Sequence, residues 1–259
     1  MNMVQKNKLD VINNYFDKIY VLTLKRATER HLKIKEDLVE LRFTFFYGFD
    51  KLELDEDTLL QNNIYDNKKA KELNRYNRAM KLGEIACSMG HKAIYENIVL
   101  NNLKRVLILE DDVIIKDEGL QKIESIFQQL PNDWDILYFD YNKNENSNLR
   151  TWLKKTVYHI QKKLGLLKWS QKTINNLFAK SFSNNLKISG YHDYTSAYAI
   201  TQNAAKKLIK LQTPISFPSD NVLSYAITNK FLNGFISIPK VFEQQSQSSK
   251  ETVGSYVES

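Results

Sequence analysis

Apolar residues follow two rhythms along this chain. Continuous runs such as Ile19-Tyr20-Val21-Leu22 and Val106-Leu107-Ile108-Leu109 suit strands covered on both faces of a sheet. Between such runs, apolar positions return every three or four residues, the period of a helix with one buried side. The pattern predicts strands at 18–24, 43–49, 105–109, 134–139, 195–200 and 235–238. It predicts helices at 28–41, 83–100, 117–130, 202–211 and 219–228. Pro131 stops the third helix, Ser219 is a candidate cap of the last, and Pro239 closes the last strand. Residues 51–82 are polar and irregular, a helical or loop excursion. Strands alternating with helices predict an α/β fold of three layers around a mainly parallel sheet. There is no internal repeat. The chain reads as a single domain over 1–259, with a basic, helical insertion at about 141–190 and a mobile, Gln- and Ser-rich tail from about 243.

The insertion stands out once charge is added. It holds ten Lys/Arg against Glu145 alone, more than the net +7 of the whole chain, so the remainder is slightly acidic. Within it Leu153, Val157, Ile160, Leu164 and Leu167 recur at helical spacing, flanked by Lys154, Lys155, Lys162 and Lys163, with Trp152 and Trp169 near the ends. Two readings compete: an amphipathic helix docked on the core, or a surface for an anionic membrane or a phosphorylated glycolipid. Nucleic acid is not expected, because no nucleic-acid motif accompanies the charge. One cysteine in 259 residues excludes an intramolecular disulfide framework and fits a reducing compartment. No apolar run is long enough to span a bilayer, and the polar stretch from Met1 to Asp10 does not read as a secretory signal. The expected location is cytoplasmic, with peripheral attachment to the inner face of the membrane through 141–190.

Candidate chemistry concentrates where a strand runs into Glu110-Asp111-Asp112. Three adjacent acids repel one another, and a cation resolves the conflict. Glu110 and Asp112 fall on the same side of an extended chain and suit a hard divalent metal. The bland alternative is a solvated strand-to-turn junction. Four further groups accompany it. Leu24-Lys25-Arg26-Ala27-Thr28-Glu29-Arg30 places cations at a strand-to-helix turn, either an anion site or a solvated basic turn. Glu84, Cys87 and His91 share a helix face, where Cys87 reads as a packing residue and His91 alone as a structural hydrogen-bonding group. Tyr194 to Ile200 form a strand, and Phe217-Pro218-Ser219-Asp220 puts an acid at a helix start, which by itself is a dipole-favoured position.

Taken in order, these elements resemble glycosyltransferase family 25, the lipopolysaccharide and lipooligosaccharide glycosyltransferases with collagen-modifying relatives. The resemblance covers about Lys18 to Val241. It rests on the opening strand with its arginines, Gly83-Glu84-Ile85 with Ser88 and His91, Leu109-Glu110-Asp111-Asp112, Tyr198-Ala199-Ile200 and Pro218-x-Asp220. Thr23-Leu24-Lys25 departs from the Asn-Leu-Asp/Glu opening common in the family, and 141–190 matches none of its motifs. The resemblance implies a nucleotide-sugar-binding α/β/α domain of the glycosyltransferase A type with an Asp-x-Asp-like metal site. It implies inverting transfer of a hexose, often galactose from UDP-galactose, to a lipopolysaccharide, lipooligosaccharide or other glycan hydroxyl.

On that reading Glu110 and Asp112 hold Mn²⁺ or Mg²⁺, and Arg26 and Arg30 contact phosphate or the nucleotide edge. Phe49 and Asp50 meet base or ribose, and Thr23, Leu24 and Asp111 complete the donor site. Glu84 and His91 shape the site or touch substrate. Asp220 is the expected base, with Asp140, Asp193 and Asp112 as weaker rivals; His159 and His192 are conceivable additional metal ligands. Two other readings compete: a catalytically silent module that binds a glycan or membrane with the same fold, and a related nucleotidyltransferase, whose frequent glycine-rich loop is missing.

Overall fold

A computed structural model describes residues 3–146 and 149–245. In chain order the elements are α1 (Met3–Tyr15), β1 (Lys18–Thr23), α2 (Thr28–Asp37), β2 (Phe43–Tyr47), a 3-10 turn (Lys51–Glu53), α3 (Glu56–Gln61), α4 (Asn67–Leu73), α5 (Leu82–Leu100), β3 (Arg105–Glu110) and β4 (Val113–Ile115). Then follow α6 (Asp117–Leu120), α7 (Ile123–Gln129), β5 (Ile136–Tyr138), α8 (Leu149–Lys163), α9 (Gln171–Asn175), β6 (Lys180–Ser181) and β7 (Leu186–Ile188). The chain closes with β8 (Ala197–Thr201), α10 (Gln202–Leu211), α11 (Ser219–Thr228), β9 (Gly234–Ser237) and β10 (Phe242–Gln244).

Eight strands form one sheet in the order β2-β1-β3-β8-β5-β9-β7-β6. Its pairings make six of the eight point one way, and β8 and β7 run against them. Side chains alternate across it with period two. Ile19, Val21, Leu107, Leu109, Ala197 and Ala199 face one side, against Leu9, Ile12, Ile34, Leu38, Ile123 and Ile126 from α1, α2, α7 and the turn after α2. Tyr20, Val106, Ile108, Tyr198 and Ile200 face the other, against Ile94 and Ile98 of α5, Leu208 of α10 and Val222 and Leu223 of α11. Each such large side chain, taken from water, contributes about 1.5–3 kcal/mol. The expected three layers are present.

Several expectations need correcting. The helix expected over 117–130 is two pieces, interrupted at Gln121–Lys122. Its first turn lies under the backbone of Lys240–Val241, where a Cβ on Gly119 would come 1.9 Å from the Lys240 carbonyl oxygen. Ser219 does not cap α11: the helix begins at Ser219 itself, after Pro218, and shows no side-chain cap. The expected mobile tail begins too early, since Phe242–Gln244 pairs antiparallel with Val113–Ile115; residues 246–259 lie outside the described residues.

The basic segment is only partly helical, for β6 and β7 form a hairpin that extends the sheet beside β9. Its helix α8 docks by Lys155, Tyr158 and Lys162: Tyr158 joins Leu167, Trp169, Ile174, Leu177, Phe178 and Tyr191 in a satellite core. Lys155 Nζ donates to the Asn175 carbonyl at 3.0 Å and Lys162 Nζ to that of Trp169 at 2.8 Å. The apolar seam points outward instead. Leu153, Val157, Ile160 and Leu164 are 50–67% exposed, and only Leu167, beyond the helix end, is buried. Among the described residues no helix is long and apolar enough to cross a membrane.

Candidate active site

The acidic triad sits at the end of β3, where Leu22 of β1 pairs with Glu110. The three acids have three different environments. Asp111 is claimed by the protein: the Thr23 hydroxyl donates to Oδ2, and Arg30 Nη1 donates to Oδ1 at 2.7 Å. His31 Nε2 stands 3.1 Å from Thr23 Oγ1 and 3.0 Å from the Leu24 carbonyl. The start of α2 thereby ties the β1 turn to the acidic turn.

Glu110 accepts from Thr195 Oγ1 at 2.8 Å and lies 3.6 Å from His91 Nε2. His91 is fixed from below, its Nδ1 2.8 Å from Tyr198 Oη, which in turn is 2.8 Å from Tyr95 Oη. Burial pushes the Glu110 carboxyl up, but His91, Thr195 and the Arg30 charge together hold it below its ordinary range. Asp112 behaves oppositely. Burial and the Glu110 charge push it up to about 6, against a hydrogen bond from Gln244 Nε2 to Oδ2 at 3.0 Å. Its Oδ1 is buried with no hydrogen-bond partner.

These acids open onto a cleft of about 120 Å³ lined by Thr23, Leu24, Arg30, Phe49, Asp50, Cys87, Glu110, Asp111, Asp112 and Gln244, among others. Its floor depends on the close approach of the segments around Leu22, Gly48 and Gly90. A Cβ on Gly48 would lie 3.1 Å from Leu22 Cδ1, and one on Gly90 3.3 Å from the same atom. Arg26 ion-pairs with Asp50 at the rim.

Asp220, at the start of α11, is linked to this cleft through its neighbour Ser219. Its Oδ1 accepts from the Asn221 N–H at 2.7 Å, and the Tyr194 N–H is 3.5 Å from Oδ2. Tyr194 holds a φ of +80°, a costly backbone conformation for a bulky residue, in presenting that N–H. Burial and the Asp193 charge push the Asp220 carboxyl up to about 6. The preceding Ser219 Oγ lies 3.3 Å from Thr195 Oγ1 and 3.4 Å from Cys87 Sγ. A polar chain Glu110–Thr195–Ser219 therefore joins the acidic turn to the residue before Asp220.

The other sequence candidates fall elsewhere. Glu84 is held by Arg78 at 2.6 and 2.8 Å, and it accepts the Lys81 N–H at 2.7 Å, the work of a helix cap. Asp140 is buried under Lys240 Nζ at 2.9 Å and Ser196 Oγ at 2.6 Å. His159 lies with Gln171, 2.9 Å away and outside the cleft. His192 is buried with both nitrogens engaged, Nδ1 2.8 Å from the Lys143 carbonyl and Nε2 accepting the Gly190 N–H at 3.1 Å. Burial pushes its pKa down to about 4. Neither histidine is arranged as a ligand.

Sequence reading missed Thr195 and Gln244 as site residues. It also missed that Cys87, His91 and Glu110 bring one ligand atom each within 4.8 Å of one another. Burial pushes the Cys87 thiol up to about 12, so it is a protonated packing group.

The model of glycosyltransferase family 25 (LPS biosynthesis protein) matches residues 16–223. A glycosyltransferase 25 family member of Drosophila melanogaster is 28% identical over 214 residues, covering 79% of this chain and 29% of its own length. Mouse procollagen galactosyltransferase 2 is 23% identical, covering 75% of this chain and 27% of its own. The human inactive glycosyltransferase 25 family member 3 is 23% identical, covering 76% and 29%. The chain thus spans less than a third of each of these three relatives. Since the family model extends from before β1 into α11 and takes in the acidic turn and Asp220, this chain belongs to glycosyltransferase family 25.

Proposed function

We propose that the protein transfers a hexose, in first place galactose from UDP-galactose, with inversion, to a hydroxyl of a lipopolysaccharide, lipooligosaccharide or other glycan. The observation that supports this best is a pair of adjacent carboxylates at the cleft with a third carboxylate linked to it. Glu110 and Asp112 face a cleft sized for part of a nucleotide sugar, and Asp220, its carboxyl pushed up to about 6, follows Ser219, which reaches Cys87 in the wall of that cleft.

A divalent cation, Mn²⁺ or Mg²⁺, fits the donor side. Asp112 Oδ1 is buried without a partner, and Glu110 lies close enough for its charge to raise the Asp112 pKa. Glu110 and Asp112 would hold the ion, which supplies charge neutralisation for a leaving diphosphate. The remaining work belongs to the chain. Phe49 and Asp50 bound the end of the cleft for the nucleoside, with Arg26 orienting Asp50. Arg30 neutralises Asp111, so that only two of the three acids remain for cation binding. Asp220, deprotonated above about pH 6, accepts the proton of the attacking hydroxyl.

The outward seam of α8 supports a second element, peripheral attachment to an anionic membrane on its cytoplasmic side. Trp152, Leu153, Val157, Ile160 and Leu164 are exposed together, beside Lys154 and Lys163.

The test is UDP release by purified protein with Mn²⁺, across UDP-galactose, UDP-glucose, UDP-N-acetylglucosamine and UDP-N-acetylgalactosamine, beside Asp112→Asn. Turnover of one donor, lost in the variant, supports donor class and metal site together. Neither turnover nor nucleotide-sugar binding would transfer the weight to a silent glycan- or membrane-binding module, a reading to which the inactive relatives lend substance.

A further inference from the structure

A second cavity, of about 390 Å³, lies at the start of α11. Pro218 and Asn221, on either side of the Ser219–Asp220 pair, line it, whereas Ser219 Oγ reaches Cys87 in the wall of the acidic cleft. The start of α11 therefore lies between two spaces. The second is built quite differently from the first.

Five cations line it, Arg75, Arg78, Lys143, Lys154 and Lys168, against one acid, Asp193. Two of the five are committed: Arg78 to Glu84 and Lys143 to Asp193. Among the described residues, Arg75, Lys154 and Lys168 form no ion pair with a carboxylate. Arg75 is the unusual one. Its guanidinium carbon lies 4.7, 4.7 and 4.5 Å from the ring centres of Tyr76, Tyr158 and Trp169, and its Nε is buried with no hydrogen-bond acceptor. Three rings hold the cation in place and remove much of its water, which strengthens its attraction for an anion. A cation so held, without a counter-charge from the protein, is half of a binding site. Trp169 and Tyr191, 4.7 Å apart, add flat apolar walls, and the Tyr191 hydroxyl donates to Asn221, next to Asp220.

We propose that this cavity binds an anionic sugar unit, bearing a carboxylate or a phosphate, with Arg75, Lys154 and Lys168 as its counter-charges. Naming that unit as part of the acceptor rests on the transferase reading; the anion chemistry of the cavity does not. Bound there, the sugar chain lies on the Asp220 side of the site, and its charge selects it over neutral glycans.

The experiment titrates the full chain, without donor, with glucose 6-phosphate, glucuronic acid and glucose at low salt, followed by NMR. The anionic sugars bind and glucose does not, and the tighter of the two identifies phosphate or carboxylate as the recognised group. Lys154→Gln/Lys168→Gln, two exposed positions, weakens that binding about tenfold. Glucose binding as tightly as the charged sugars overturns the proposal, as does undiminished affinity in the double variant or no binding of either anion. UDP-hexose hydrolysis is read on the same wild-type preparation. Hydrolysis without anionic-sugar binding removes this proposal alone, and anionic-sugar binding with neither hydrolysis nor nucleotide-sugar binding removes the transferase reading alone.

Discussion

Arg30 Nη1 donates to Asp111 Oδ1 at 2.7 Å, with the two side chains only 13% and 7% exposed. The central acid of the triad is thus a structural member of the site. Removing the guanidinium would leave a mostly buried carboxylate without its counter-charge. Arg30→Ala should cost about 3–5 kcal/mol, and Arg30→Lys should recover only part of it, because an ammonium lacks the planar fork. Urea denaturation midpoints check this, and Arg30→Met/Asp111→Asn should be milder than Arg30→Ala.

Asp112→Asn should behave in the opposite way. The carboxyl is already pushed up by burial and by Glu110, and its Oδ1 has no hydrogen bond to lose. The variant should fold with an unchanged or higher melting temperature while Mn²⁺-dependent nucleotide-sugar binding disappears. Thermal melts beside donor titrations with and without Mn²⁺ test both halves.

Asp220 and His192 impose opposed pH dependences. Asp220 rises from an ordinary 3.8 to about 6, so its contribution to stability is greatest below 3.8 and is lost as pH climbs to 6. His192 falls from 6.5 to about 4, so its contribution is present above 6.5 and is lost as pH drops to 4. Across about pH 4–6 the two nearly cancel. Asp220→Asn removes one side, so its stability relative to the wild type should rise with pH through that window by on the order of 2–3 kcal/mol.

The same carboxylate should set the acid limb of catalysis. Turnover per KM in the wild type should rise with pH around a midpoint of about 6, and residual activity in Asp220→Asn should show no such limb.

The seam of α8 makes a further prediction. Val157→Ser/Ile160→Ser/Leu164→Ser touches only exposed positions, so stability should change by less than about 0.5 kcal/mol per site. Sedimentation with anionic vesicles should fall severalfold. Unchanged sedimentation would remove membrane attachment through this face.

Much of this architecture was legible beforehand because the central strands advertise themselves. Val106 to Leu109 are buried on both faces, and a run of aliphatics is what such a strand requires. α10 was read to the residue, since Thr201 caps it through the Ala204 N–H and its apolar positions keep strict period. What stayed hidden had no local signal. β4 and β10 are three residues each and meet across more than a hundred residues of chain. α1 is polar in most positions, and among its described side chains only Leu9 and Ile12 are fully buried. At the site, helix periodicity correctly grouped Cys87 with His91, but Glu84 on the same face turns to the Lys81 N–H, because a third helical residue has orphan backbone donors within reach. Thr195 and Gln244 touch acids that are remote in sequence, and neither residue type declares such a partner. The seam of α8 was visible as a seam; which way it faces was decided by Tyr158, not by the leucines.

That helix joins two proposals physically. Lys154 and Tyr158 line the cationic cavity, and Leu153 and Val157, their neighbours in the chain, face outward. An acceptor anchored in a lipid leaflet would then meet the enzyme by sliding within the leaflet, not by diffusing through the surrounding water. Its encounter rate would follow the number of acceptors per unit area of bilayer, and diluting them with inert lipid would slow the reaction at constant bulk concentration.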